Sequence, residues 1–194
     1  MGILIGSGLM LHQLCRRHTV GRDRFAVWEW SVNRRFKRVR SVSPVGVEGL
    51  EVIEQTVRVI EHYQSRDSDR SILKIQSLSR SGTLRTWHVL IQETDGLTGP
   101  VGLRPVGSDA SLVDLMNLPL MPRVSNETRF AVYALRVTDA RRVATGAVKA
   151  LLPPDIGLIR SSDRLILDFT ARPFDPTEFD RILAIAGQIR TVLS

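Results

Sequence analysis

Four histidines, His12, His18, His62 and His88, are the side chains of this chain best suited to metal ligation or to proton transfer near neutral pH. They stand in four separate contexts with no H-x-x-x-H spacing, so no two can share a helix face around a zinc ion. His88, next to Trp87 in a stretch that reads as a strand, is a candidate ligand only in the sense that any such histidine is. Cys15 is the only cysteine, which excludes an internal disulfide and a cysteine cluster for zinc. The carboxylates Asp168, Asp175, Glu178 and Asp180 gather near the end of the chain in the manner of an acid–base pair. Two of them have a structural duty instead, because acidic residues at a helix start satisfy free N–H groups and meet the positive end of the helix dipole. Gly6-Ser7-Gly8 lacks the third glycine of a dinucleotide loop, which would fall at Leu11, and neither a G-x-S-x-G elbow nor a P-loop occurs. The expectation is therefore no catalytic residue, no metal, no cofactor and no enzymatic activity.

The charge carries more information than the motifs. The 194 residues have a net charge of +7, and Lys37, Lys74 and Lys149 are the only lysines, so arginine supplies the excess. Guanidinium forks match phosphate oxygens, whether on lipid headgroups or nucleic acid, although genome composition accounts for such a bias equally well. The densest run is 22–40, RDRFAVWEWSVNRRFKRVR, and within it Arg34, Arg35, Lys37, Arg38 and Arg40 are the candidates for binding an anionic surface. The aromatic residues between them read either as an interfacial belt or, preferably, as core residues behind a solvated basic face. Before this run, residues 1–15 are apolar except for His12 and Gln13, and Arg16, Arg17 and His18 follow. That segment is shorter than the roughly 20 residues of a spanning helix, and it lacks the basic start and small-residue cleavage site of a signal peptide. It reads as a truncated membrane anchor, an interfacial anchor or a buried first element, with the basic flank on the cytoplasmic side.

The elements that position these residues follow from periodicity. Phe25, Trp28 and Val32 predict a short helix that passes into an extended segment at Phe36. A helix near Glu48 to Gln55 and a strand near Thr56 to Tyr63 come next. ILKIQSLS and TLRTWHVLIQET read as two strands of a glycine-bearing hairpin, and Asp95-Gly96 with Gly99-Pro100 marks a turn into VGLRPV. SLVDLM is a short helix capped by Ser108 or Asp109. RFAVYALRV is a strand, and Thr138 would cap a helix with Ala140, Val143, Ala144, Ala147, Val148 and Leu151 on one side. IGLIRS and RLILDF form a second hairpin around 161–163. The last helix has Asp175 as N-cap, Pro176 at its first position, Glu178 completing a capping box, and a staple of Phe174 on Phe179. Its apolar face is Phe179, Ile182, Leu183, Ala186, Ile189 and Leu193.

The fold class is thus α+β: a mostly antiparallel sheet of about five to seven strands, covered on one face by two longer amphipathic helices, with a short N-terminal helix added. Residues 1–21 form the apolar segment and 22–194 a single domain, and 43% hydrophobic residues suffice for its core. The hairpin end VLIQE, Leu103-Arg104-Pro105 before a short helix, FAVYALRVTD, and RLILDF with FDPTEFDRIL resemble an uncharacterised family of bacterial proteins with one N-terminal membrane helix and a cytoplasmic α+β domain. The resemblance implies a domain at the inner face of the bacterial membrane, or in the cytoplasm, and brings no catalytic residues with it. The expected partners are an anionic membrane surface or another protein. The alternative is a soluble basic domain that binds nucleic acid through the same stretch with Arg80 and Arg85.

Overall fold

The computed structural model describes residues 23–40, 57–67, 69–78, 83–115, 123–126 and 128–194. The apolar segment at residues 1–21 and the helix expected near Glu48 to Gln55 lie outside them. The described residues form an α+β fold on one antiparallel sheet built from seven β runs. These are β1 (Phe36–Arg38), β2 (Val57–Ser65), β3 (Arg70–Leu78), β4 (Leu84–Pro105), β5 (Arg123–Asn126), β6 (Phe130–Ala134) and β7 (Gly157–Asp168). β1, β2, β3 and the first limb of β4 pair in sequence, with Leu78 opposite Leu84 across the first hairpin. Beyond the turn at 95–98, the second limb of β4 pairs with β6 through Val101 opposite Ala134, and β6 pairs with β5.

Between the two limbs of β4 lies β7, itself folded double. Its residues 164–168 pair with 89–93, and its residues 158–160 pair with 101–103. Its two ends meet, since a Cβ on Gly157 would sit 3.3 Å from the Cβ of Asp168. A straight strand of this length would hold those ends tens of ångströms apart. The second hairpin read from the sequence is therefore present, and β4 wraps around it. Counting both limbs of β4 and of β7 gives nine strands, more than the five to seven expected. The short β5 was missed because four residues carry no readable alternation.

The central strands bury both faces. On one side Tyr63, Ile72, Leu90, Leu103, Val132, Leu158 and Leu167 form a core with the helices. On the other, Leu73, Ile75, Trp87, Val89 and Ile166 meet Leu112 and Val113 of a 3-10 turn, Leu112–Leu115. The expected cover of two long helices on one face needs correction. α4 (Pro176–Leu193) is long, but the other helix is broken into α2 (Val137–Val143) and α3 (Gly146–Leu151). The break comes from Thr145, whose hydroxyl accepts the N–H of Val148 and so starts a new helix. α2 has no side-chain cap: Thr138 lies inside it and Arg136 precedes it.

α1 covers residues 23–33. Its Trp30 ring sits 5.0 Å from both Phe36 and Phe179, and its indole N–H donates to Asp180 at 2.9 Å. At the start of α4 the staple is present, with Phe174 and Phe179 edge to face at 4.7 Å. Asp175 accepts the N–H of Glu178, as an N-cap should. The other half of the capping box is replaced, because Glu178 pairs with Arg172 at 3.0 Å, and Arg172 also forks onto Asp155.

Candidate functional site

Three features of the α1 end of the molecule stand out: an apolar stripe, a basic rim and a cleft. The stripe is the face of α1 turned away from the core. Phe25, Trp28 and Val32 are 61%, 58% and 55% exposed, while Val27 and Trp30 are buried. The aromatic rings of Phe25 and Trp28 touch each other at 5.6 Å but no other ring. The helix was legible from the spacing of these three residues, yet their assignment to the core is overturned, because the half-turn offset pair Val27 and Trp30 takes that role.

The five basic candidates are all exposed, but they do not form one patch. Arg34 is bound to Asp180 at 2.8 Å and helps to hold α1 on α4. Arg35 occupies the left-handed region at φ 58 and turns the chain from helix to strand. Lys37 and Arg38 are neighbours on β1 and point to opposite faces of the sheet. Arg38 and Arg40 share a surface hollow with Ile60 and Glu61. For the nucleic-acid alternative, Arg80 lies outside the described residues and Arg85 is exposed.

The cleft, about 570 Å³, opens between the first turn of α1, the sheet and the segment that leads into α4. Its floor is a row of three side chains on neighbouring strands: Glu61 of β2 opposite Lys74 of β3, opposite His88 of β4. A bulge at Ile60 puts Glu61 there, since the extra residue shifts the alternation between Val59 and Glu61. Burial holds the His88 imidazole below its ordinary pKa, and Lys74 pushes the same way against the opposing pull of the Arg172 carbonyl. That carbonyl lies 2.9 Å from Nδ1, so Nδ1 carries the proton and Nε2 keeps its lone pair. The Lys74 ammonium sits 5.6 Å from the centre of the Phe174 ring, and Glu61 accepts from the Tyr63 hydroxyl at 3.1 Å. Burial, followed by the charge of Glu61, pushes Tyr63 up to about 12.

The other titratable groups are scattered. His62 is on the opposite face of β2, buried, with Nε2 against the Ser71 hydroxyl at 3.1 Å. Burial and Lys37 lower its pKa. His12 and His18 lie outside the described residues. The terminal carboxylates divide their duties: Asp168 holds the 3-10 turn, Asp175 caps α4, Glu178 binds Arg172, and Asp180 binds Trp30 and Arg34. Among the described residues no three His, Cys, Asp or Glu side chains are grouped to hold a metal, and no helix is long and apolar enough to cross a membrane. Sequence reasoning singled out His88 but not Glu61 or Lys74. The available signal was a lysine at an inward-facing position of β3, in register with Ile72.

The chain matches no protein-family model and no curated protein sequence. Its fold is similar to that of the crystal structure of the mycobacterial trehalose monomycolate transport factor A, TtfA. The two share 15% sequence identity at a TM-score of 0.58, over 89% of this chain and 93% of that one.

Proposed function

We propose that this is a non-enzymatic domain that docks on an anionic membrane surface, at the inner face of a bacterial membrane, and serves as an interaction platform there. The observation that carries this reading is the exposed stripe of Phe25, Trp28 and Val32 on a helix flanked by arginines and packed on α4 through Trp30. Aromatic residues on the outer face of a helix with arginines at its two ends favour the headgroup boundary, where the rings leave water and the cations meet phosphate. Burying such a side chain contributes about 1.5–3 kcal/mol, and each cation near the surface on the order of 1 kcal/mol. The apolar residues 1–15 precede the helix in sequence and add to the same attachment. A fold shared with a transport factor fits a binding role better than a catalytic one.

The test is sedimentation of the full chain with vesicles of phosphatidylglycerol and of neutral phosphatidylcholine. Binding should favour the anionic vesicles, weaken with salt as screening grows, and fall sharply in the pair Phe25→Ser, Trp28→Ser. Replacement of Arg35, Lys37, Arg38 and Arg40 by glutamine should remove the salt-sensitive part. Preference for RNA or DNA over anionic vesicles in one buffer, lost with those same cations, would overturn the membrane reading.

A further inference from the structure

The cleft at the start of α1 contains an electrostatic arrangement that membrane docking does not use. Lys74 and Arg24 supply two cations, and Glu61 and Asp23 supply two carboxylates. No ion pair joins any of the four, although the charge of Arg24 acts on Tyr63 and that of Glu61 on both Tyr63 and His88. Lys74 rests on a phenyl ring, and Glu61 takes only a phenol hydroxyl. A fifth charged group at the rim, Asp175, accepts the N–H of Glu178 through one oxygen and adds a third carboxylate to the lining. His88 adds an acceptor, Nε2, which is not among the buried atoms that lack a partner and so reaches the open space. A purely anionic ligand would meet these carboxylates here and a purely cationic one two cations. A neutral polyol would leave all four charges partly desolvated without a counter-charge, which is costly.

We propose that the cleft binds a zwitterion, with its oxyanion against Lys74 and Arg24 and its ammonium against Glu61, Asp23 and the His88 lone pair. Val27 and Phe174 then cover the short aliphatic link between the two charged ends. The volume lies within the usual range for small-molecule sites, which leaves room for a lipid headgroup as well as for a free zwitterion.

Calorimetric titration of the full chain with glycerophosphoethanolamine tests this directly, with glycerol 3-phosphate and ethanolamine as the two half-ligands. The zwitterion should bind at least about tenfold more tightly than either half. Lys74→Met keeps the stem on Phe174 and removes the charge, and Glu61→Gln keeps the shape; each should weaken the zwitterion about tenfold while thermal melts show the fold intact. Equal affinity for glycerol 3-phosphate alone, or no saturable binding by the folded protein at about 1 mM, overturns the proposal. Phosphatidylethanolamine vesicles identify the source: competition between them and the soluble probe marks a lipid headgroup, and its absence a free zwitterion. The pair Phe25→Ser, Trp28→Ser should sharply weaken vesicle binding and leave the soluble probe bound, so failure of the membrane reading and failure of this one give different results.

Discussion

Asp168 and Asp175 show how differently two carboxylates can contribute. Asp175 is a half-buried N-cap with one backbone donor, and Asp175→Ala should lower stability by about 0.5–2 kcal/mol, read as a drop in melting midpoint. Asp168 is buried and accepts from Ser111, Leu112 N–H and twice from Thr170. Removing it strands several donors inside the protein, and Asp168→Ala should cost on the order of 3 kcal/mol, clearly more than the cap. The histidines contribute through protons. His62 and His88 both have folded pKa values below the ordinary 6.5, so the unfolded chain binds protons more readily. Their stabilisation is complete above about pH 6.5 and is lost as the pH falls through the folded values. The melting midpoint should therefore decline between pH 7 and pH 5, and His62→Gln with His88→Gln should flatten that decline. Asp69 and Asp155, whose pKa values are lowered, act in a more acidic window and would leave this slope unchanged.

At the scale of elements, α1 separates what periodicity tells from what it does not. The stripe Phe25, Trp28, Val32 and the pair Val27, Trp30 are both helical patterns, and the inward one is chosen by contacts with Phe36 and Phe179 that lie far apart in sequence. Trp30→Ala should destabilise by about 3–5 kcal/mol in chemical denaturation, whereas Trp28→Ala should fall within about 0.5 kcal/mol of the parent. α4 was legible almost whole, since cap, proline, staple and apolar spacing agree; Glu178 and Ile185 join the buried face unannounced, and Leu183 and Leu193 are only partly buried. The second helix is not legible in the same way, because the apolar spacing runs on through Thr145 and Gly146, whereas Thr145 is a cap. Turn chemistry at 95–98 and 161–163 located the reversals correctly. What it could not supply was pairing: nothing local says that the later hairpin lies between the limbs of the earlier strand. The cleft was equally hidden, because the row Glu61, Lys74, His88 exists only through strand register and the bulge at Ile60.

For the whole molecule, the sheet joins two halves of different character. One half, β1 to the first limb of β4, carries α1, the stripe and the cleft; the other, the second limb of β4 with β6 and β5, is clad by α2. Gly99 marks their junction, because a Cβ there would come within 2.7 Å of the Asp139 carboxylate, so Gly99→Val should force α2 away and lower stability. Among the described residues no ladder joins the halves directly: each limb of β4 pairs with β7. On the ribosome this has a consequence. Until residues 157–168 emerge, both limbs of β4 present unpaired N–H and C=O groups, two sticky edges within one nascent chain. A chain ending at Asp155 should therefore be recovered in aggregates, and supplying the missing hairpin and α4 as a separate peptide during refolding should return it to solution.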